Sequence, residues 1–452
     1  MQNPIIVALD VPDAASALRL AGQLAPVVGG DIVVANSAPD ARVGVIEIDA
    51  ECSADASNEH TQRLHNGELA AWVKLPAMGI AGISWAGLAP VQARQAVVVR
   101  EVGDSVELSN DCIRVTLDRD GTISSLYDLR ARREVMQAGQ RGNVLELSAD
   151  HPVEYDAWDL DDYYAKNTRE LLDVDSIVIV DRGPLLATVA ITRTFGASRI
   201  VQRIVLRAGS PRLDFVNDIA WHENEKVLKV AMPVDVHADS AACEIQFGYV
   251  HRPTHASTSW DAAKFEVCAH RWVDVSEPNF GVALLNDSKY GHDVHRGALR
   301  LTLLRAANYP DPDADRGDHH FTYALLAHLG SCAESDVVAE AARLNQPVVV
   351  VSGTGAMATH PLSAVTSSNP AVVVTAVKHA QDGSGDVVLR CYESSGGRAT
   401  CTLTTAFPAA EVIVCDFLER PLPDAADAAS FDGTTIEVSL RPFQIVTLRL
   451  IS

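Results

Sequence analysis

No two of the eight cysteines, spread singly from Cys52 to Cys415, form a CxxC pair. Zinc clusters and disulfide frameworks show close, repeated spacings, so neither is indicated and free thiols in a reducing cytoplasm are expected. No apolar run approaches the roughly 20 residues needed to span a bilayer. The opening residues lack a basic region followed by an apolar core, which argues against a signal peptide. Basic residues are few, 37 Lys and Arg against 59 Asp and Glu, and the formal charge of −22 repels nucleic acid and anionic membrane surfaces. A neutral polar ligand such as a sugar is compatible with that field. The sequence also has no G-x-S-x-G, no phosphate loop and no Gly-rich dinucleotide fingerprint after a strand.

What is present is a long β chain. At 452 residues there is room for about three domains of roughly 100–200 residues each. Residues 5 to 28 read as strand, turn and helix: "IIVALD" suits a strand buried on both faces, and Asp13 is a fitting N-cap for a helix with Ala17, Leu18, Ala21 and Leu24 on one side. From Asp31 the pattern changes to short runs such as "VGVIEID", "SVELSN" and "SIVIVDRGPLLATVAITRTF". Period-two alternation, β-branched residues and Gly/Asp turns mark antiparallel strands. "LDRDGTISSL" reads as a hairpin turning at Asp120-Gly121. Such density points to sandwiches rather than a parallel sheet. The expected division is an orphan βα segment at 1–30, a small sandwich at 31–95, a large one at 96–345 and a terminal one at 346–452. A short helix in "SCAESDVVAEAARLNQP" precedes the last.

Three stretches hold candidate chemistry. Asp311, Asp313 and Asp315 have the spacing that begins a calcium loop, but the sixth and twelfth positions hold Arg316 and Thr322 where glycine and an acid are needed. Adjacent His319 and His320 face opposite sides of a strand and are poorly placed to share an ion, so "HHFTYALLAH" reads as a polar loop entering a strand. His237 and Asp239 form an H-x-D pair, yet zinc needs about three or four ligands and no complement stands out. In "YDAWDLDDYY", Tyr155 to Tyr164, aromatics interleave with acids as they do where a pyranose stacks one face on a ring and turns its hydroxyls to carboxylates. A solvated acidic loop with Trp158 packed inward fits the same residues. Nothing in the spacing of Asp156 and Asp159 fixes the ~5–9.5 Å carboxyl separation that a glycosidase needs.

The stretch "EIQFGYVHRPTHASTSWDAAKFEVCAHRWVDVSEPNFGVALLNDSKYGHDV" followed by "LRLTLLRAANYPDPDADRGDHHFTYALLAH" resembles the C-terminal half of family 38 α-mannosidases, closest to the cytosolic and bacterial branch. "VEYDAWDLD" and the terminal "LRPFQIVTLRL" fit the same pattern, so the resemblance runs from about Asp31 to Ile451. It implies a mainly β fold of successive sandwiches, a large mutarotase-like one with smaller flanking ones, and a retaining, zinc-dependent activity on α-mannosides. In the family the zinc ligands and the aspartate nucleophile lie in an N-terminal α/β domain followed by three helices, neither of which this sequence shows. The resemblance therefore implies a chain that supports the sugar pocket, inactive alone, with no metal or cofactor of its own. It also implies α-mannosides and a separate catalytic domain as partners. A stand-alone carbohydrate-binding sandwich and the β subunit of a split enzyme are the alternatives. By analogy Trp158 and Asp159 fall near the pocket rim, with Arg316 and His319 as further candidates, although arginine at 316 departs from the usual pattern. Residues 4–30, "PIIVALDVPDAASALRLAGQLAPVVGG", resemble instead the opening strand and helix of orotidine 5′-monophosphate decarboxylase, with Asp10 where that family's strand-end aspartate touches ligand. One βα unit closes no barrel, so a fusion, a mis-joined gene model or an alternative start is expected there.

Overall fold

The computed structural model describes residues 28–53, 59–357, 360–433 and 435–451, so the strand and helix expected before residue 28 lie outside the described residues. Two compact units are present. The first comprises the residues up to Pro90, the short stretch Gln246–Tyr249, and Val338 onward; the second comprises Val91–Ile245 and Val250–Val337.

In the first unit, the strand Ile32–Asn36 pairs antiparallel with Val349–Ser352 on one side and Gly79–Ile83 on the other. Its sequence, IVVAN, does not alternate, because both faces are buried: Ile32 and Val34 enter one core with Ile46, Ile48, Leu69 and Val73, while Val33 enters another with Leu389, Leu403 and Leu448. A three-stranded sheet (Arg42–Ile48, Leu69–Leu75, Thr61–Arg63) contributes the first core. Two four-stranded antiparallel sheets built from Val365 to Ile451 supply the second, and strands such as Thr435–Leu440 alternate buried and exposed as half-buried strands should. The expected helix before them is observed at Val337–Asn345.

The second unit contains three sheets. A five-stranded meander spans Val98 to Glu134, and its hairpin between Ile113–Leu117 and Ile123–Asp128 turns at Gly121, whose φ of 73° suits glycine. Only Gly121 is left-handed there; Asp120 instead anchors the turn by accepting from the Thr122 N–H and hydroxyl at 3.0 and 2.6 Å. A nine-stranded antiparallel sheet has Arg212–Trp221 and Gly317–Leu329 at its middle, where Leu213, Phe215, Ile219 and Trp221 point to one buried face. The six-stranded sheet runs Thr168–Glu170, Val144–Ala149, Lys226–Pro233, Ala298–Arg305, Gly291–His295 and Val267–Cys268. One face carries Leu145, Leu147, Val230, Met232, Leu299 and Leu301, all buried. Its other face carries Glu146, Lys229, Thr302, Arg300 and Asp293, set opposite one another by the register Glu146–Lys229, Lys229–Thr302 and Asp293–Arg300. Asn143, at the start of this sheet, joins Gln202, Asn217 and Tyr323 of the nine-stranded sheet in a fully buried network with bonds of 2.6–2.9 Å. The fold is thus mainly β, in multiple sheets, as the alternation implies.

Candidate functional site

The aromatic–acid loop and the aspartate-rich loop meet at one end of the second unit. Arg305, closing its strand, ties them down: its Nε donates to Asp150 Oδ2 at 2.7 Å, and one terminal nitrogen donates to the carbonyls of Asp156 and Asp159 at 3.0 and 2.8 Å. Asp150 is buried, which pushes its carboxyl above the usual carboxylate range despite Arg305 beside it. Asp156 reaches the other way and accepts from the backbone N–H groups of Asn308 and Tyr309 at 2.7 and 3.0 Å. Tyr155, at φ 55°, makes a tight turn whose carbonyl accepts from the N–H groups of Trp158 and Asp159.

With the backbone fixed in this way, the side chains of Trp158 (67% exposed), Tyr155 and Tyr309 are held in solvent. The inward-packed tryptophan that the sequence equally allowed is not what forms. Trp158 and Tyr155 on one loop and Tyr309 on the other are thus exposed aromatic side chains carried on backbone that these hydrogen bonds fix. Arg316 and His319 belong to the same loop cluster but are otherwise engaged. Arg316 donates to Asp313 at 3.0 Å and Asn224 at 2.8 Å, and His319 Nε2 lies 2.6 Å from the Asp315 carbonyl. Both act as braces of the turn that leads into the strand Gly317–Leu329. Along that strand His319 and His320 do face opposite sides, and His320 pairs instead with Asp218 at 2.7 Å.

His237 and Asp239 are both exposed on a loop beside a cleft of about 380 Å³ lined by Asp235, Glu277 and Arg296. The His237 backbone N–H, with Arg133 beside it, holds the Glu277 carboxyl below the usual range. Among the described residues no three His, Cys, Asp or Glu side chains converge to hold a metal ion, so the zinc that the resemblance implies has no fitting donor set in them. No helix among the described residues is long and apolar enough to cross a membrane.

Sequence reasoning missed the most charged buried cluster, on the polar face of the six-stranded sheet. Lys229 pairs there with Glu266 and donates to the Tyr164 hydroxyl at 3.1 Å, while that hydroxyl donates to Glu266 at 2.6 Å. Arg300 bridges Glu146 at 3.0 Å and Asp293 at 3.5 Å. A signal was available: single charges interrupt otherwise apolar strands in "VLELSA", "KVLKVAMP" and "ALRLTLLR".

Comparison with known proteins agrees with this architecture. The glycosyl hydrolases family 38 C-terminal domain matches residues 108–313, and the family 38 C-terminal β-sandwich domain matches residues 371–448. Alpha-mannosidase 2C1 of Homo sapiens is 40% identical over 84% of this chain and 37% of its own length. The Mus musculus protein of the same name is 36% identical over 99% and 42%, and alpha-mannosidase G of Dictyostelium discoideum 34% over 79% and 33%. The chain thus spans about two fifths or less of the length of these curated relatives. An alpha-mannosidase crystal structure from Enterococcus faecalis V583 superposes with a TM-score of 0.74 at 16% identity, covering 96% of this chain and 58% of that one, which shows a shared fold.

Proposed function

This chain belongs to glycosyl hydrolase family 38, whose two C-terminal β regions it carries, and on that premise we propose that it forms the part of an α-mannosidase that supports the sugar pocket. The observation that carries the reading is the loop cluster of Trp158, Tyr155 and Tyr309, exposed yet pinned through Arg305 and Asp156. Rings carried on a backbone already fixed in place cost less ordering entropy when they stack against a sugar, which suits a pocket rim. Trp158 and Asp159 are its contact residues, with Arg316 and His319 setting the turn behind them. The family's zinc would be held by its N-terminal α/β domain and would supply the glycosidic chemistry there, beside the sugar that this chain's loops would position. Eight unpaired cysteines suit a reducing compartment, and the cytoplasm is part of the proposal.

The test is reconstitution. The chain alone should give no hydrolysis of an aryl α-mannoside with zinc or cobalt, and mixing it with a separate chain carrying the family's N-terminal catalytic region should restore turnover. Trp158→Ala should then raise KM severalfold while leaving the melting temperature unchanged. Turnover by the isolated chain would overturn the supporting role. The exposed rings also favour a second reading, a stand-alone carbohydrate-binding protein, for which sugar binding at the loop would persist without any catalytic chain and that loop component would be lost in Trp158→Ala.

A further inference from the structure

The polar face of the six-stranded sheet is covered at Lys229 by Glu266 and Tyr164 but left open beside them. Across it opens a cleft of about 580 Å³, walled by the 3-10 helix Asp162–Asn167 on one side and by residues 254–265 on the other. Sheets normally bury an apolar face or present charges to solvent. Here Glu146, Asp293 and Arg300 are each more than three-quarters buried, and Lys229 behind them is almost wholly so. Burying several charges costs more than an apolar surface of the same size, so such a cluster at a cleft floor suggests a use beyond stability.

The lining indicates what would fit. Glu146, Asp162 and Asp293 are opposed by Arg296 and Arg300, so the cleft has no strong preference for either sign of charge. Asp293 is the informative member: its Oδ2 meets Arg300, while its buried Oδ1 has no hydrogen-bond partner. A buried carboxylate oxygen without a donor is costly, and a turn of the Asp293 side chain that brings it to the cleft surface would let an incoming hydroxyl satisfy it. Phe265 and the methyl groups of Ala256 and Ala262 on one side, and the Tyr164 ring on the other, supply apolar lining. A rigid molecule with an apolar face and hydroxyls on its edge matches this combination, and the volume accommodates one or two pyranose rings.

We propose that this cleft is a carbohydrate-binding subsite for a neutral pyranoside, separate from the Trp158 loop, with Asp293 accepting from a sugar hydroxyl and Phe265 stacking on the ring. The choice of an α-mannoside as first ligand rests on the function proposed above; the pyranose class rests on the cleft itself.

Calorimetric titration of the full chain with methyl α-mannopyranoside and mannobiose tests it, alongside inorganic phosphate and choline as anion and cation probes. The sugars should bind and the ions should not. Asp293→Ala and Phe265→Ala should each weaken sugar binding about tenfold or more, while Trp158→Ala leaves a cleft component intact. Should either cleft variant fold poorly, fluorine NMR of the wild-type chain labelled with fluorophenylalanine gives an independent reading, with the Phe265 resonance shifting on sugar addition. An unmoved Phe265 resonance, binding abolished by Trp158→Ala alone, or preferential uptake of phosphate or choline would each overturn the subsite. None of these results bears on reconstitution of hydrolysis, so the two proposals fail separately.

Discussion

Removing one partner of the Lys229–Glu266 pair offers the sharpest stability test. Lys229→Met keeps an unbranched side chain only one heavy atom shorter and deletes the charge. The side chains are 2% and 19% exposed, and breaking a pair this deep costs about 3–5 kcal/mol because the surviving charge is left uncompensated. Glu266 keeps the Tyr164 hydroxyl as a donor and a fifth of its surface in water, which places the expected loss at the lower end, about 3 kcal/mol at pH 7. The pH dependence follows from the same geometry. Burial raises the Glu266 carboxyl above its ordinary 4.5, with Lys229 pulling it down; without Lys229 it rises further. A raised carboxyl favours the folded state below its unfolded value and loses that contribution as pH climbs through the folded one. The gap between wild type and variant should therefore be widest near pH 7 and close as pH falls toward 4.5. Urea unfolding followed through the buried Trp221 and Trp272 of the same unit measures it. Adding Glu266→Gln to the variant should recover most of the loss. A gap below about 1 kcal/mol at pH 7, or one that widens on acidification, would refute the account.

Other outcomes follow from residues already placed. Tyr323→Phe removes a hydroxyl that bonds Asn143 at 2.6 Å and Gln202 at 2.8 Å in a buried network, and should cost about 1–3 kcal/mol in a denaturant melt without changing the far-ultraviolet spectrum. Asp156→Ala frees the Asn308 and Tyr309 backbone donors, and should raise hydrogen exchange at those two amides first, with a stability loss of about 1–2 kcal/mol. Among the cysteines, exposed Cys268 should be alkylated first at pH 8, whereas Cys391, whose thiol burial pushes to about 12, stays unmodified until unfolding.

The β character and the turns were legible because alternation is a local property. Thr435–Leu440 and Arg212–Trp221 show it plainly, and the Gly121 hairpin follows from a dipeptide. The pairing of Ile32–Asn36 with Val349–Ser352 was not legible, since no local rule reports a partner more than 300 residues away. The site divided along the same line. Exposure of Trp158 depends on Arg305 grasping the carbonyls of Asp156 and Asp159, a contact across nearly 150 residues that leaves no trace in "YDAWDLDD". The charged cleft floor depends on register, which sets Glu146 beside Lys229 and Asp293 beside Arg300 only once the strands are paired.

That distant pairing also bears on the order of assembly. The bulk of the second unit is encoded between the two main portions of the first, so a growing chain completes it while the Ile32–Asn36 strand still lacks one neighbour. Until Val349–Ser352 emerges, that strand presents an unpaired apolar edge, the kind of surface on which nascent chains aggregate. Slow synthesis or truncation ahead of Val349 should therefore make the protein chaperone-dependent, whereas a circular permutant joining the two portions should fold faster, having exchanged its longest loop closure for a shorter one.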